Sequence, residues 1–132
     1  MTYNIKLDMK AQPWKRTRGA GNRRVMDADQ KEYYYTLYRA LCEAGLKPFP
    51  PAPLELGMFL KFSFKDRRWR DTDNLLKAVL DAGQPQKWAL KKDRPYMPDL
   101  WDDKQFSDVY AKRVRGADEN RITGYIRTLE GA

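Results

Sequence analysis

Asp71 and Asp73 flank Thr72 where a predicted strand runs out into a predicted helix, so two carboxylates at i and i+2 emerge at one strand end. Hard oxygen ligands of this kind suit Mg²⁺, which usually takes one or two protein carboxylates and completes its octahedron with water and phosphate oxygens. A third acid is available at Asp102 or Asp103, just ahead of a further predicted strand near Phe106. Lys77 lies one helical turn after Asp73 on the same face, and Arg67, Arg68 and Arg70 precede the acids. Carboxylates inside a rail of cations suggest a phosphodiester site, where a bound metal polarises the phosphate and lowers the pKa of a water. Lys77 would then neutralise charge developing on the phosphorus oxygens or orient that water.

Each of these residues also has a plain structural reading. Asp73 is a good helix N-cap, and Asp102 with Asp103 suits a turn. Lys77 could form an exposed ion pair with Asp73, worth about 0.5 kcal/mol. Trp69, among the arginines, could stack on an unpaired base or wedge a junction, but a core anchor is the commoner role for such a side chain.

Histidine is absent, which excludes imidazole general bases and His/Cys zinc sites and leaves carboxylates, lysine and metal to carry any hydrolysis. The 26 lysines and arginines against 18 acids make a formal charge of +8, the sign expected for a polyanionic partner. Nucleic acid heads that list and an anionic membrane surface comes second. A single cysteine, Cys42, placed on the expected buried face of a helix, permits no internal disulfide and no thiolate metal cluster, and fits a reducing cytoplasm. Met1 to Lys10 alternates polar and apolar residues, so neither a signal peptide nor a membrane span is expected there.

The elements that must position the acids follow from periodicity. With 132 residues, 42% of them apolar, the chain is expected to form one folded domain over 1–132. Thr2 to Met9 alternates as a half-buried strand. Residues 12–24 carry Lys15, Arg16, Arg18, Arg23 and Arg24 around Gly19, Ala20 and Gly21 without apolar periodicity, and read as a mobile basic loop. Asp27 with Gln30 makes a capping box for a helix through Tyr34, Leu37, Tyr38, Leu41 and Ala44, stopped by Gly45. Pro48, Pro50, Pro51 and Pro53 form a stiff connector.

Leu54, Leu56, Met58, Leu60, Phe62 and Phe64 then alternate without a break, the clearest strand signal in the chain. A short helix from Asp73 to Gly83 turns Leu76, Val79 and Leu80 inward. Residues 84–99 read as a loop with one helical turn, anchored by Trp88 and Leu90. Strands over Phe106–Val114 and Arg121–Leu129, joined by a polar turn at Gly116–Asn120, suit a hairpin. The expected fold class is a mixed α/β (α+β) domain of order β-α-β-α-β-β, with helices packed on a mixed sheet.

The run Arg67-Arg68-Trp69-Arg70-Asp71-Thr72-Asp73-Asn74-Leu75-Leu76-Lys77, followed by Trp101-Asp102-Asp103-Lys104-Gln105, resembles the signature of the RusA family of Holliday-junction resolvases: a basic run, D-x-D-N-x-x-K, then D-D-x-Q. The resemblance covers roughly residues 54–129, and the N-terminal third in outline. It implies a homodimeric α/β fold, Mg²⁺ dependence with Mn²⁺ able to substitute, and paired nicks across the two-fold axis of a four-way DNA junction. By position, Asp71, Asp73 and Asp103 match the family's metal-binding carboxylates, Lys77 its essential lysine and Asn74 its accompanying asparagine, with Asp102 a supporting neighbour.

It also implies phosphate contacts from the basic loop, and a bacterial cytoplasm as the setting, where the chain could be encoded by a phage or prophage. The stretch between Lys77 and Asp103 is longer than in compact members, the excess lying in 84–99. Asp99, and behind it Asp93, therefore rival Asp103 as third acid, and Lys91, Lys92 and Arg94 could add DNA contacts. Two other readings stay open. In a non-catalytic basic DNA-binding module the acids would be caps, although carboxylates among phosphate-binding cations repel the ligand unless a metal intervenes. A restriction-enzyme core could be sought in Pro98-Asp99 and Asp102-Asp103-Lys104, but Asp103 fills the slot that should hold an apolar residue.

Overall fold

In a computed structural model, residues 1–14, 18–20, 23–25 and 28–129 are described. The elements in chain order are β1 (Thr2–Leu7), β2 (Arg18–Ala20), β3 (Arg23–Val25), α1 (Ala28–Glu43), β4 (Glu55–Phe64), α2 (Thr72–Ala82), β5 (Phe106–Arg115) and β6 (Arg121–Leu129). Three short 3₁₀ turns, Pro85–Lys87, Arg94–Tyr96 and Asp103–Gln105, punctuate the stretch from α2 to β5. Among the described residues no helix is long and apolar enough to cross a membrane.

β4 decides the architecture. Its alternating Leu56, Met58, Leu60, Phe62 and Phe64 are all buried, each worth about 1.5–3 kcal/mol when fully removed from water. A strand that apolar gains most in the interior of a sheet, and it takes an interior place in the order β1-β6-β4-β5. β5 runs parallel to it and β6 antiparallel, while β1 closes the far edge against β6. α2 is the crossover that a parallel β4–β5 pair needs. α1 brings Tyr34, Leu37 and Leu41, and α2 brings Leu75, Ala78 and Val79, into a single core on the same sheet face. The fold class read from periodicity, a small single α+β domain with helices on a mixed sheet, is the observed one.

Several local expectations are corrected. β5 and β6 do not form a hairpin, because β4 lies between them. Their connection crosses the end of β4 and bonds to it: Ala117 N–H donates to Phe64 O, Gly116 N–H to Asp66 O, and Asn120 Oδ1 accepts from Lys65 N–H. Gly116 sits at φ +66°, the left-handed conformation such a turn requires. Within the basic segment, β2 and β3 pair as a short antiparallel ribbon where composition showed no element. Asp27, the expected cap of α1, lies outside the described residues. Cys42 and Ala44 are exposed, the apolar stripe of α1 being Tyr33, Tyr34, Leu37, Tyr38 and Leu41. Leu90 is also exposed, and the segment is anchored instead by Trp88, ringed by Tyr34, Tyr35 and Tyr38, together with the buried Pro85 and Ala89.

Gln105 ties the start of β5 to the proline connector. Its buried amide donates to Pro50 O and Leu54 O, and its Oε1 accepts from Asp102 N–H. Gln105→Ala leaves those groups unsatisfied and should cost about 2 kcal/mol. A urea titration followed by circular dichroism measures this as a lowered midpoint.

Candidate nucleic-acid interface and carboxylate pair

The chain leaves β4 at Phe64 and turns through residues 65–71 into α2. Asp66 organises that turn, accepting a bidentate contact from Arg70 (2.7 and 3.0 Å), the Arg68 N–H and a 3.1 Å ion pair from Lys10. The Arg70 guanidinium, with the Arg68 amide and Lys10, holds the Asp66 carboxyl well below the usual range. The Arg70 guanidinium also lies 4.0 Å from the Phe64 ring centroid, and its side chain is only 8% exposed. Arg70, expected to meet DNA, is therefore an internal tie, whereas Arg67 and Arg68 are exposed.

Trp69 is 68% exposed and is not a core anchor. Arg113 stacks on its ring at 3.7 Å while donating to Arg70 O and Thr72 Oγ1, and Arg115 lies 5.5 Å from the ring centroid. These two arginines, at the end of β5, were not singled out from the sequence. The available signal was the run Lys112-Arg113-Val114-Arg115, whose proximity to Trp69 depends on the parallel β4–β5 pairing.

α2 is capped by Asp71, not Asp73. Asp71 has extended backbone angles, and its Oδ1 accepts from Asp73 N–H at 2.9 Å. Asp73 sits in the first turn, where the helix dipole favours negative charge. Among the described residues neither carboxylate forms an ion pair. Lys77 does not pair with Asp73 either: its ammonium lies 3.8 Å from the Trp14 ring centroid. Trp14 N–H in turn donates to Asn74 O, so the N-terminal segment docks along α2 immediately before Lys15. A cleft of about 510 Å³ lies here, between residues 10–14 and the Arg68–Asp71 turn with Asn74. Lys15 and Arg16 lie outside the described residues, as do the side chains of Arg18, Arg23 and Arg24.

The other acids stand elsewhere. Leu100 N–H donates to Gly83 O and Trp101 Nε1 to Leu80 O, so Asp102 and Asp103 sit at the carboxyl end of α2, a helix about 16 Å long. Asp102 caps the following 3₁₀ turn through Lys104 N–H. Asp103 pairs with Lys87 at 3.0 Å, which holds its carboxyl below the ordinary value, and its N–H donates to Gln84 Oε1. Asp99 accepts from Gln86 N–H and Asp93 from the Tyr35 hydroxyl, so both rivals have structural partners. The structure thus brings together Asp71, Asp73, Asn74, Lys77, Arg68 and Trp69, and does not bring Asp103 to them. Among the described residues no group of three His, Cys, Asp or Glu side chains is placed to hold a metal. The pair Asp71–Asp73 does match the one or two carboxylates that Mg²⁺ usually takes from a protein.

Asp81, near the end of α2, has its carboxyl pushed up by burial, with Lys87 and Lys77 opposing and Asp103 reinforcing the shift. A raised carboxyl favours folding below its unfolded pKa of about 3.9, and that contribution is lost as pH rises through the folded value. Asp81→Asn should therefore stabilise the protein at pH 7, by under about 1 kcal/mol given its partial solvent screening. The gain should vanish toward pH 4, as urea midpoints at the two pH values would show.

No family model matches the chain, and no curated protein does.

Proposed function

We propose that this protein is a Mg²⁺-dependent endonuclease for branched DNA, acting as a homodimer in the manner of the RusA-family resolvases that its motifs resemble. The observation that carries this reading is the carboxylate pair at the amino end of α2, which has no ion-pair partner among the described residues although Arg68 shares the cleft of Asp71 and Arg113 bonds Thr72 between the two acids, in a +8 chain. Two acids facing a polyanion repel it, each pair of like charges at 4 Å costing about 1 kcal/mol even in bulk water. A pure binding module uses these acids only to cap and start α2, whereas a hydrolase also uses them to hold a cation.

Magnesium bound by Asp71 and Asp73 would supply Lewis acidity and a water of lowered pKa. The chain's own residues do the rest. Arg68 and Arg115, both exposed, hold the phosphates on either side of the scissile bond. Trp69, its ring oriented by Arg113, stacks on a base left unpaired at a branch point. Lys77 offers donors to the phosphate oxygens as charge develops there. A two-fold-symmetric junction is cut symmetrically by a two-fold-symmetric dimer.

The test compares a synthetic four-way junction with a linear duplex of the same arm sequence, in Mg²⁺ and in EDTA, alongside sedimentation of the free protein. Paired nicks on the junction alone, only with metal and from a dimer, are expected. Tight, salt-sensitive binding without cleavage in either Mg²⁺ or Mn²⁺ would reduce the protein to a binding module.

A further inference from the structure

The sheet face opposite α1 and α2 carries two contrasting rows. Strand registers align Tyr110, Phe59, Tyr125 and Asn4 across β5, β4, β6 and β1. The three rings stack in parallel, with centroids 4.9 and 5.5 Å apart and planes within 6° and 13°. Tyr110 ends the stack on an edge strand and is 55% exposed. Two residues along the strands, about 7 Å away, the next row aligns Lys112, Lys61, Thr123 and Lys6. Lys61 and Lys112 are direct cross-strand neighbours, a repulsive arrangement, and among the described residues none of the three lysines has an ion-pair partner. The row on the other side differs, since Arg127 there is neutralised by Asp108 at 3.1 Å.

We propose that this face is a second nucleic-acid site, which binds single-stranded DNA by adding a base to the ring stack at Tyr110 and placing the flanking phosphates on Lys112 and Lys61. Stacking on an aromatic face accepts any base, and adjacent lysines suit a polyanion; of the two acids that share a pocket with Lys61, Asp118 and Glu119, the second is paired with Arg121. A second copy of the chain fits less well. A symmetric face-to-face contact would crowd each lysine row toward a positive surface and take ammonium groups out of water without counter-charges. Choosing DNA over RNA rests on the reading of the α2 carboxylate pair; the stacking site itself does not.

The test is fluorescence anisotropy with a labelled twelve-residue oligo-dT in EDTA, so that no outcome depends on cleavage. Tyr110→Ala should weaken binding roughly tenfold or more, while Tyr110→Phe, which keeps the ring face, should bind like wild type. The Lys61→Ala/Lys112→Ala variant should flatten the logarithmic salt dependence by about 1.4, at about 0.7 per phosphate contact. Unchanged affinity and salt slope in Tyr110→Ala and the lysine variant would overturn the proposal. So would a dimer that Tyr110→Ala dissociates with no effect on oligo-dT, since the face would then join two copies. Oligo-rU that binds more tightly than oligo-dT, with the same sensitivity to Tyr110, would overturn the choice of DNA. Failure of junction nicking with the Tyr110 effect intact would sink the carboxylate reading and leave this site standing.

Discussion

Asp71→Asn is expected to lower Mg²⁺-dependent nicking of a four-way junction on the order of 10²–10³-fold, the scale seen when one preorganised electrostatic group is removed from a catalytic site. The melting temperature should hardly change. Asp71 does two separable things: its charge faces the cleft, and its Oδ1 caps α2 by accepting the Asp73 N–H. Asparagine caps a helix as well as aspartate does, so the substitution removes the charge and keeps the cap. Asp71→Ala removes both and should add a stability loss of about 1 kcal/mol. Junction affinity in EDTA should hold or rise in Asp71→Asn, because a charge that repels phosphate has gone.

Gel assays of nicking and thermal melts on these two variants separate the roles. Nicking by Asp71→Asn at the wild-type rate would remove the carboxylate pair from the chemistry. The same assay on Asp103→Asn decides where the third acid belongs. A loss as deep as that of Asp71→Asn puts Asp103 at the metal, as the motif resemblance implies, and retained nicking leaves it as the partner of Lys87.

The second large effect concerns folding. Gly124→Ala should destabilise the protein by roughly 4 kcal/mol or more, in the range reserved for backbone strain or severe overpacking. Gly124 lies in β6 opposite Leu60 of β4, at φ +152°, a conformation that side chains rarely adopt. A Cβ there would stand 1.9 Å from the Phe59 carbonyl oxygen, and that atom is backbone in an interior strand with no flexible side chain to move aside. The β4–β6 pairing would have to open locally, beneath the Phe59–Tyr125 stack. Since small domains hold only about 5–15 kcal/mol in total, much of the variant should be unfolded or aggregated at 37 °C. Circular dichroism melts would show it. A melting temperature within a few degrees of wild type would mean that β6 relaxes more freely than its register suggests.

Residues whose environment is set by near neighbours in the chain were legible without coordinates. The alternation from Leu54 to Phe64 marked β4 and the helical spacing of Leu37 and Leu41 marked the core face of α1, whereas the acids, expected at a strand end, stand at the start of α2, seven residues or more beyond the end of β4 at Phe64. Periodicity reports which face of an element is buried, and capping chemistry reports where it begins, because both act over a few residues.

What required the tertiary structure was every question of which distant residues meet. Arg70 and Trp69 are one residue apart in similar company, yet the first is folded under by Asp66 and Phe64 while the second is held outward by Arg113 from another strand. Trp14 reaches Lys77 only because the N-terminal segment bonds to Asn74. Asp103 is separated from Asp73 by the length of α2, since the chain returns to the sheet at the helix's far end. β5 and β6 looked like hairpin partners because a short polar turn joins them. The most apolar strand took the place between them, because burying its alternating face outweighs the convenience of pairing sequence neighbours.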